Sequence, residues 1–254
     1  MNHFALIVEY DGTNYSGFQS QPQVSTVQDT IESAITNLTR ENIRITSASR
    51  TDAGAHAYGQ VVNFQTEQNY PPEVIENALN YYLPSDITIK KAYVVSEEFH
   101  SRKSAFSRIY KYQILNQDVK LSIYRNYYAR ISTSLDEKLM NNACQDLLGT
   151  HDFKDIAKPS YLGGSTKREV YKWEVQRQAN KIIITCEANG FMRYQIRKIN
   201  ALLTQIGSRS LPSNTIQRLF SEESNNNFQY SMLPACGLFL VGVKYHGPFS
   251  YIGE

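Results

Sequence analysis

Between His3 and Val95 the apolar residues of this 254-residue chain switch between two spacings, and the order of the switches leaves few folds open. His3–Tyr10 (HFALIVEY) is rich in β-branched and aromatic residues and stops at the turn signal Asp11-Gly12. After a polar loop, Ser25 has Gln28 three residues on, as in a capping box, and Val27, Ile31, Ala34, Ile35 and Leu38 share one helical face. Ile43–Ser49 and Gln60–Thr66 return to strand character. Pro71 opens a second helix with Val74, Ala78, Leu79 and Tyr82 on one face, and Pro84 closes it. Ile87–Val95 is strand again. The order β-α-β-β-α-β predicts a ferredoxin-like half, with helices on one side of an antiparallel sheet.

The remaining sequence repeats this roughly, without any period in the residues themselves. Phe106–Leu115 reads as a strand, Leu135–Leu148 as a helix, and Val170–Arg177 with Ile182–Ala188 as a hairpin. Met192, Ile196, Ile199, Leu203 and Ile206 give a helix from about Met192 to Ile206, and Cys236–Tyr245 closes the sheet. Ser221–Asn227 (SEESNNN) reads as an exposed loop. The expected fold is α+β. Two ferredoxin-like or RRM-like halves, residues 1–104 and 105–254, form a continuous antiparallel sheet with packed helices and a central cleft.

Composition narrows the class. Hydrophobic residues make up 41% and charged residues 20%, the balance of a soluble globular protein. No basic leader opens the chain and no run approaches a membrane span, so a cytoplasmic protein is expected. Cys144, Cys186 and Cys236 are far apart and odd in number, which argues against a disulfide framework and a zinc site. A net charge of +2 neither requires nor excludes nucleic acid. The basic residues cluster, however, at Arg102-Lys103, Arg108, Lys111, Lys167-Arg168, Arg193 and Arg197-Lys198, with aromatic residues among them. Eighteen tyrosines supply rings on which unpaired RNA bases could stack.

Among the carboxylates, Asp52 has unusual surroundings. Residues 47–64, SASRTDAGAHAYGQVVNF, begin and end like strand, with Arg50, Asp52 and His56 between. Ala53, Gly54 and Ala55 allow close approach to the backbone, and Arg50 shares a face with Asp52 on an extended segment. Two readings stay open at this point. Asx residues commonly close turns with their side chains, and scaffolded loops carry working carboxylates. Spacing favours the turn. Asp29 and Glu32 sit in a helix's first turns, where the macrodipole favours negative charge. His151-Asp152 has no second cluster beside it to complete a metal site and reads as a helix-terminating turn.

The motifs decide differently. SRTDAGAHAYGQVVNF resembles the signature of the tRNA pseudouridine synthase A family, with Arg50-Thr51-Asp52, Gly54, His56-Ala57 and Gln60-Val61 in place. EYDGTNYSGFQSQP, FHSRKSAFSRIYKY, GTHDF, GFMRYQIRKI and LPACGLFLVGVKY resemble further family motifs in the same order, over residues 3–246. The resemblance implies an isomerase that converts uridine to pseudouridine in the anticodon arm of tRNA, at nucleotides 38, 39 and 40. It needs no cofactor or metal. Asp52 would be the nucleophile, attacking C1′ of the ribose or C6 of the uracil. Arg197 would pair with Asp52, and Tyr110 would stack on the uracil. Arg50 would enter the space left by the flipped nucleotide. Thr51, Gly54 and His56 complete the substrate-binding loop, and Arg168, Arg193 and Lys198 are candidates for phosphate contacts. The family also implies a homodimer with no membrane association.

Several positions depart from the family pattern: Phe18 for tryptophan, Ser49 for glycine, Ala55 for valine, Lys103 for an apolar residue, and Lys198–Ala201 for an NIVG-like run. None removes a catalytic group, but they bear on target site and subunit contacts. Two other classes compete: a non-catalytic RNA-binding or chaperone protein of the same fold, and a glycosidase-like hydrolase. The first has no need of Asp52, Tyr110 and Arg197 together. The second needs a paired acid that no motif supplies.

Overall fold

The computed structural model describes residues 1–120, 122–156, 165–221 and 231–246. The polar run expected at 222–227 lies outside them. Two compact units are present, residues 1–108 with 239–254, and residues 109–238. The C-terminal strand thus counts with the first unit, where a division at 104/105 leaves it with the second.

The first unit contains β1 (Asn2–Tyr10), α1 (Val27–Thr39), β2 (Thr46–Ser47), β3 (His56–Thr66), α2 (Pro72–Tyr82) and β4 (Ile87–Val94). Its strands are ordered β4-β1-β3, with β2 on β3, and all these pairs are antiparallel. Phe4 faces Phe64 across β1 and β3, and the two rings stack at 5.7 Å. Leu6, Val8, Ile31, Ile35, Val62, Ile75 and Leu79 fill the core. α2 packs along β4 and beside α1.

β2 is shorter than the expected Ile43–Ser49 because a helix side chain replaces the ladder. The buried Glu32 carboxylate accepts from Ile45 N at 3.0 Å and from Arg44 Nη1 at 2.7 Å. α1 begins on Thr26 rather than Ser25. Thr26 accepts from Asp29 N and donates to Asp29 Oδ2 at 2.6 Å. Gln28, read as the capping partner, instead accepts from Ser20 N and donates to Glu32.

The second unit holds most of β5 (Ala105–Asn116), then β6 (Ala129–Ile131), α3 (Glu137–Cys144), β7 (Gly149–Asp152), β8 (Lys167–Gln178), β9 (Lys181–Ala188), α4 (Gln195–Gly207) and α5 (Thr215–Leu219). Its strand order is β5-β9-β8-β7, with β6 on β5. α3 packs against α4 and β8 over a core of Trp173, Tyr112, Ile114, Met140 and Phe153. His151-Asp152 is strand rather than a helix-ending turn. The two residues pair with Arg168 and Lys167, and the His151 ring stacks on Phe220 at 4.1 Å.

The fold is α+β, but its strands are mixed rather than all antiparallel. β10 (Leu238–Tyr245) runs parallel to β3, with Phe239 opposite His56, and β6 runs parallel to β5. Parallel neighbours need a long connection, and the whole second unit separates β3 from β10 in sequence. No helix among the described residues is long and apolar enough to cross a membrane. All three cysteines are free, and burial pushes the Cys144 thiol up to about 12.

Asp136 caps α3, accepting from Lys138 N and Leu139 N. The Leu139 bond, the Lys138 bond and nearby Arg209 together hold its carboxyl below the ordinary value. A depressed native pKa stabilises the fold above the unfolded value, and the contribution fades as pH falls through the native one. Asp136→Asn keeps an acceptor for the cap and removes the charge. The Tm difference between wild type and this variant should therefore be largest at neutral pH and shrink on acidification below about 4.

Candidate active site

The Asp52 loop is held by backbone, from below. β1 ends at Tyr10, and Asp11 caps the short 3₁₀ turn Gly12–Asn14 by accepting from Thr13 N at 3.0 Å. That turn sits directly on the loop. A Cβ on Gly12 would lie 1.9 Å from Ala55 O, and one on Gly17 (φ +98°) 2.9 Å from Thr51 O. Phe18 N donates to Thr51 O at 3.1 Å and Gly54 N to Tyr15 O at 3.3 Å. The Tyr10 hydroxyl and Thr51 Oγ1 are 2.8 Å apart. Tyr15 donates to Asp86 at 2.6 Å; burial, then that carboxylate, pushes its phenol pKa up.

The turn itself is closed by main chain, Ala55 N donating to Asp52 O at 3.1 Å, with Gly54 at φ +77°. Arg50 is exposed, Asp52 and Gly54 are half-buried, and Thr51 is buried. A carboxylate on this support, beside Ala53 and Gly54, can meet a ligand from solvent without the backbone moving.

His56, read from sequence as a substrate contact, is only 2% exposed and acts from beneath the loop. Its ring stacks on Phe239 at 4.6 Å. Nδ1 lies 3.1 Å from both Gly12 N and Asp11 Oδ1. One ring nitrogen serves one of these at a time. As an acceptor Nδ1 takes the Gly12 N–H, and as an N–H donor it turns to Asp11.

Three residues act as supports, a role the sequence reading did not assign them. Gln60 brackets Ser49, accepting from its N at 3.3 Å and donating to its O at 2.6 Å. Arg108, counted above with the basic cluster, is 7% exposed, and its guanidinium donates to the carbonyls of Ala48, Ala105 and Arg102. Gly12 was visible as a turn signal and within a family motif, not as a close backbone contact. Two departures from the family pattern also fall in this packing: Ala55 and Phe18 are both buried, and the Phe18 ring lies 6.1 Å from that of Tyr10.

The other candidates belong to the second unit. Tyr110, on β5, is 3% exposed and meets Phe191 edge-on at 5.4 Å. Arg197 lies in the first turn of α4, 9% exposed, donating from Nε to Leu233 O at 2.7 Å. α4 starts three residues later than expected because Tyr194 is left-handed (φ +66°) and Gln195 Oε1 accepts from Met192 N. Arg193 therefore precedes the helix, exposed, its guanidinium 4.6 Å from the Tyr194 ring centre. Lys198 donates to Ile156 O, and Arg168 to the carbonyls of Ser165 and Lys167. Arg50, Thr51, Asp52, Gly54 and His56 thus share one scaffold, and Tyr110, Arg168, Arg193, Arg197 and Lys198 another.

Gly12→Ala should force the 12–14 turn off the loop. The expected cost is about 1–3 kcal/mol of stability from overpacking, read by denaturant unfolding. Faster amide hydrogen exchange at Phe18, Gly54 and Ala55 should accompany it.

Comparison with known proteins places these motifs. A family model described as tRNA pseudouridine synthase matches residues 6–102 and 143–246. The tRNA pseudouridine synthase A of Pseudoalteromonas atlantica is 36% identical over 246 residues, 97% of this chain and 93% of the relative. That of Histophilus somni is 37% identical over 246 residues, 97% and 91% of the two chains. That of a Thermoanaerobacter species is 36% identical over 245 residues, 96% of this chain and all of its own. Among solved structures, a chain from a Cbf5-Nop10-Gar1 complex aligns with a TM-score of 0.37 at 10% identity, over 96% of this chain and 58% of its own. On full-length identity and motif order, this chain belongs to the tRNA pseudouridine synthase A family of isomerases.

Proposed function

We propose that this enzyme isomerises uridine to pseudouridine in the anticodon arm of tRNA, at nucleotides 38, 39 and 40, with Asp52 as the nucleophile. The observation that carries the reading is the loop: a half-buried carboxylate among small residues, on a backbone held by Gly12, Gly17 and His56. In the reaction the N1–C1′ bond breaks, C1′ joins C5, the C5 proton leaves and N1 gains one. No atom is lost, so the protein's task is positioning and a covalent step that divides the barrier. Asp52 attacks C1′ or C6, Tyr110 is the ring against the uracil, and Arg197 orients the carboxylate. Thr51, Gly54 and His56 present the loop. The exposure of Arg50 suits it to fill the gap left when the uridine is flipped. Arg168, Arg193 and Lys198 are assigned to phosphates.

The β-α-β-β-α-β order of the first unit and its strand order β4-β1-β3-β2 support a ferredoxin-like half. The family supports a second such half, a homodimer, and a reaction without cofactor or metal.

Incubation with unmodified tRNA, followed by carbodiimide mapping, should show pseudouridine in the anticodon arm. Absence of product there would count against the reading. Asp52→Ala should reduce product to background while leaving tRNA affinity within a few-fold, and surviving turnover would remove Asp52 from the nucleophile's role. Affinity should fall steeply as salt rises if phosphate contacts dominate.

A further inference from the structure

Six residues beyond Asp52, β3 carries a large apolar side chain in solvent. Tyr58 is 43% exposed on a strand where, besides it, only Gln65 is exposed. Its ring lies on Phe239 at 5.1 Å with planes 15° apart, and Phe239 lies on His56 at 4.6 Å and 24°. The parallel pairing of Phe239 with His56 sets up this arrangement. Three nearly parallel rings therefore run from the buried imidazole under the Asp52 loop, through the buried Phe239, to an exposed phenol. Lys90 binds the same residue's main chain, its Nζ 3.2 Å from the Tyr58 carbonyl oxygen and 3.3 Å from Glu9 Oε2.

Covering Phe239 from water explains an apolar residue at position 58, and any β-branched or aliphatic side chain would serve that purpose. It does not explain a flat ring aligned with the two behind it. Such a ring offers an aromatic surface of nucleobase size, with an ammonium on the backbone carbonyl of the same residue. Flipping one nucleotide out of a helix leaves its neighbours poorly stacked, and bases stack on aromatic side chains irrespective of sequence.

We propose that Tyr58 is a stacking platform for an unpaired base of the RNA substrate close to the target uridine, with Lys90 at its phosphate. This rests on the RNA-isomerase reading and adds a subsite to it. The platform is continuous with the site, because His56 both anchors the loop and forms the first ring of the stack.

The test uses the full chain and unmodified tRNA. Tyr58→Leu keeps the apolar cover and removes the ring, whereas Tyr58→Phe keeps the ring. Loss of one base stack should raise KM for tRNA about tenfold in the leucine variant. Its kcat and melting temperature should stay close to wild type, and the phenylalanine variant should match wild type throughout. In wild type, 4-thiouridine-substituted tRNA should photocrosslink to the peptide carrying Tyr58. A leucine variant with wild-type KM, or crosslinks confined to other peptides, overturns the subsite. So does a change in sedimentation in place of a change in KM, which would make this face a protein contact. If wild type forms no pseudouridine, the isomerase reading fails separately, and the crosslink still decides whether RNA lies on Tyr58.

Discussion

The first unit's site depends on one close approach: the turn after β1 lies against the carbonyl of Ala55 at a distance that tolerates no side chain at Gly12. Backbone contact of this kind transmits position without rotamers in between. Fixing a residue's backbone costs about 1–2 kcal/mol in conformational entropy, so a loop of small residues stays ordered only where neighbours hold it. Here the main chain of Tyr15 and Phe18, the Tyr10 hydroxyl and the His56 ring all contribute. What they deliver is a carboxylate whose main chain is set before any ligand arrives, and the nucleophile's role proposed for Asp52 would gain from that orientation.

The strand leading into the loop raises a second problem. β2 spans two residues, so the carbonyl of Ala48 lies beyond its ladder. Arg108 resolves it with a buried cation that binds carbonyls, its planar donors reaching Ala48, Ala105 and Arg102 at once. A lysine has one nitrogen and could not span these acceptors. Buried arginine thus holds the loop's approach, and exposed Arg50 leaves its charge in solvent. Counting Arg108 with the basic cluster in sequence hid its burial.

The alternation of strand and helix was legible because it depends on local spacing. Competition between side chain and ladder was not: β2 is cut short by Glu32, a helix residue 13 positions from Ile45. The direction of β10 beside β3 was equally hidden, since it depends on where the chain returns after a whole unit. At the site, motif order singled out Asp52 when spacing favoured a plain turn, and a main-chain turn is present there, Ala55 N donating to Asp52 O. An Asx residue and a scaffolded carboxylate look alike when only the turn's sequence is read. Gln60 and Arg108 stood in motifs, but what they hold was hidden because their partners lie 11 and 60 residues away.

Tyrosine abundance was a still poorer guide, and the reason is chemical. Tyr10, Tyr15, Tyr112 and Tyr245 are buried, their hydroxyls bonded to Thr51, Asp86, Pro234 O and Ser101 O. Burial raises the phenol pKa of Tyr15, Tyr112 and Tyr245, so these three hydroxyls remain protonated donors across the range in which enzymes work. A phenol is well suited to that task, since it reaches as far as a charged side chain yet carries no charge to desolvate. In these four the hydroxyl holds a neighbouring group and the ring is enclosed. Composition therefore counts girders and platforms together. Exposure and ring alignment separate them, and by both criteria Tyr58 stands apart from the four buried ones.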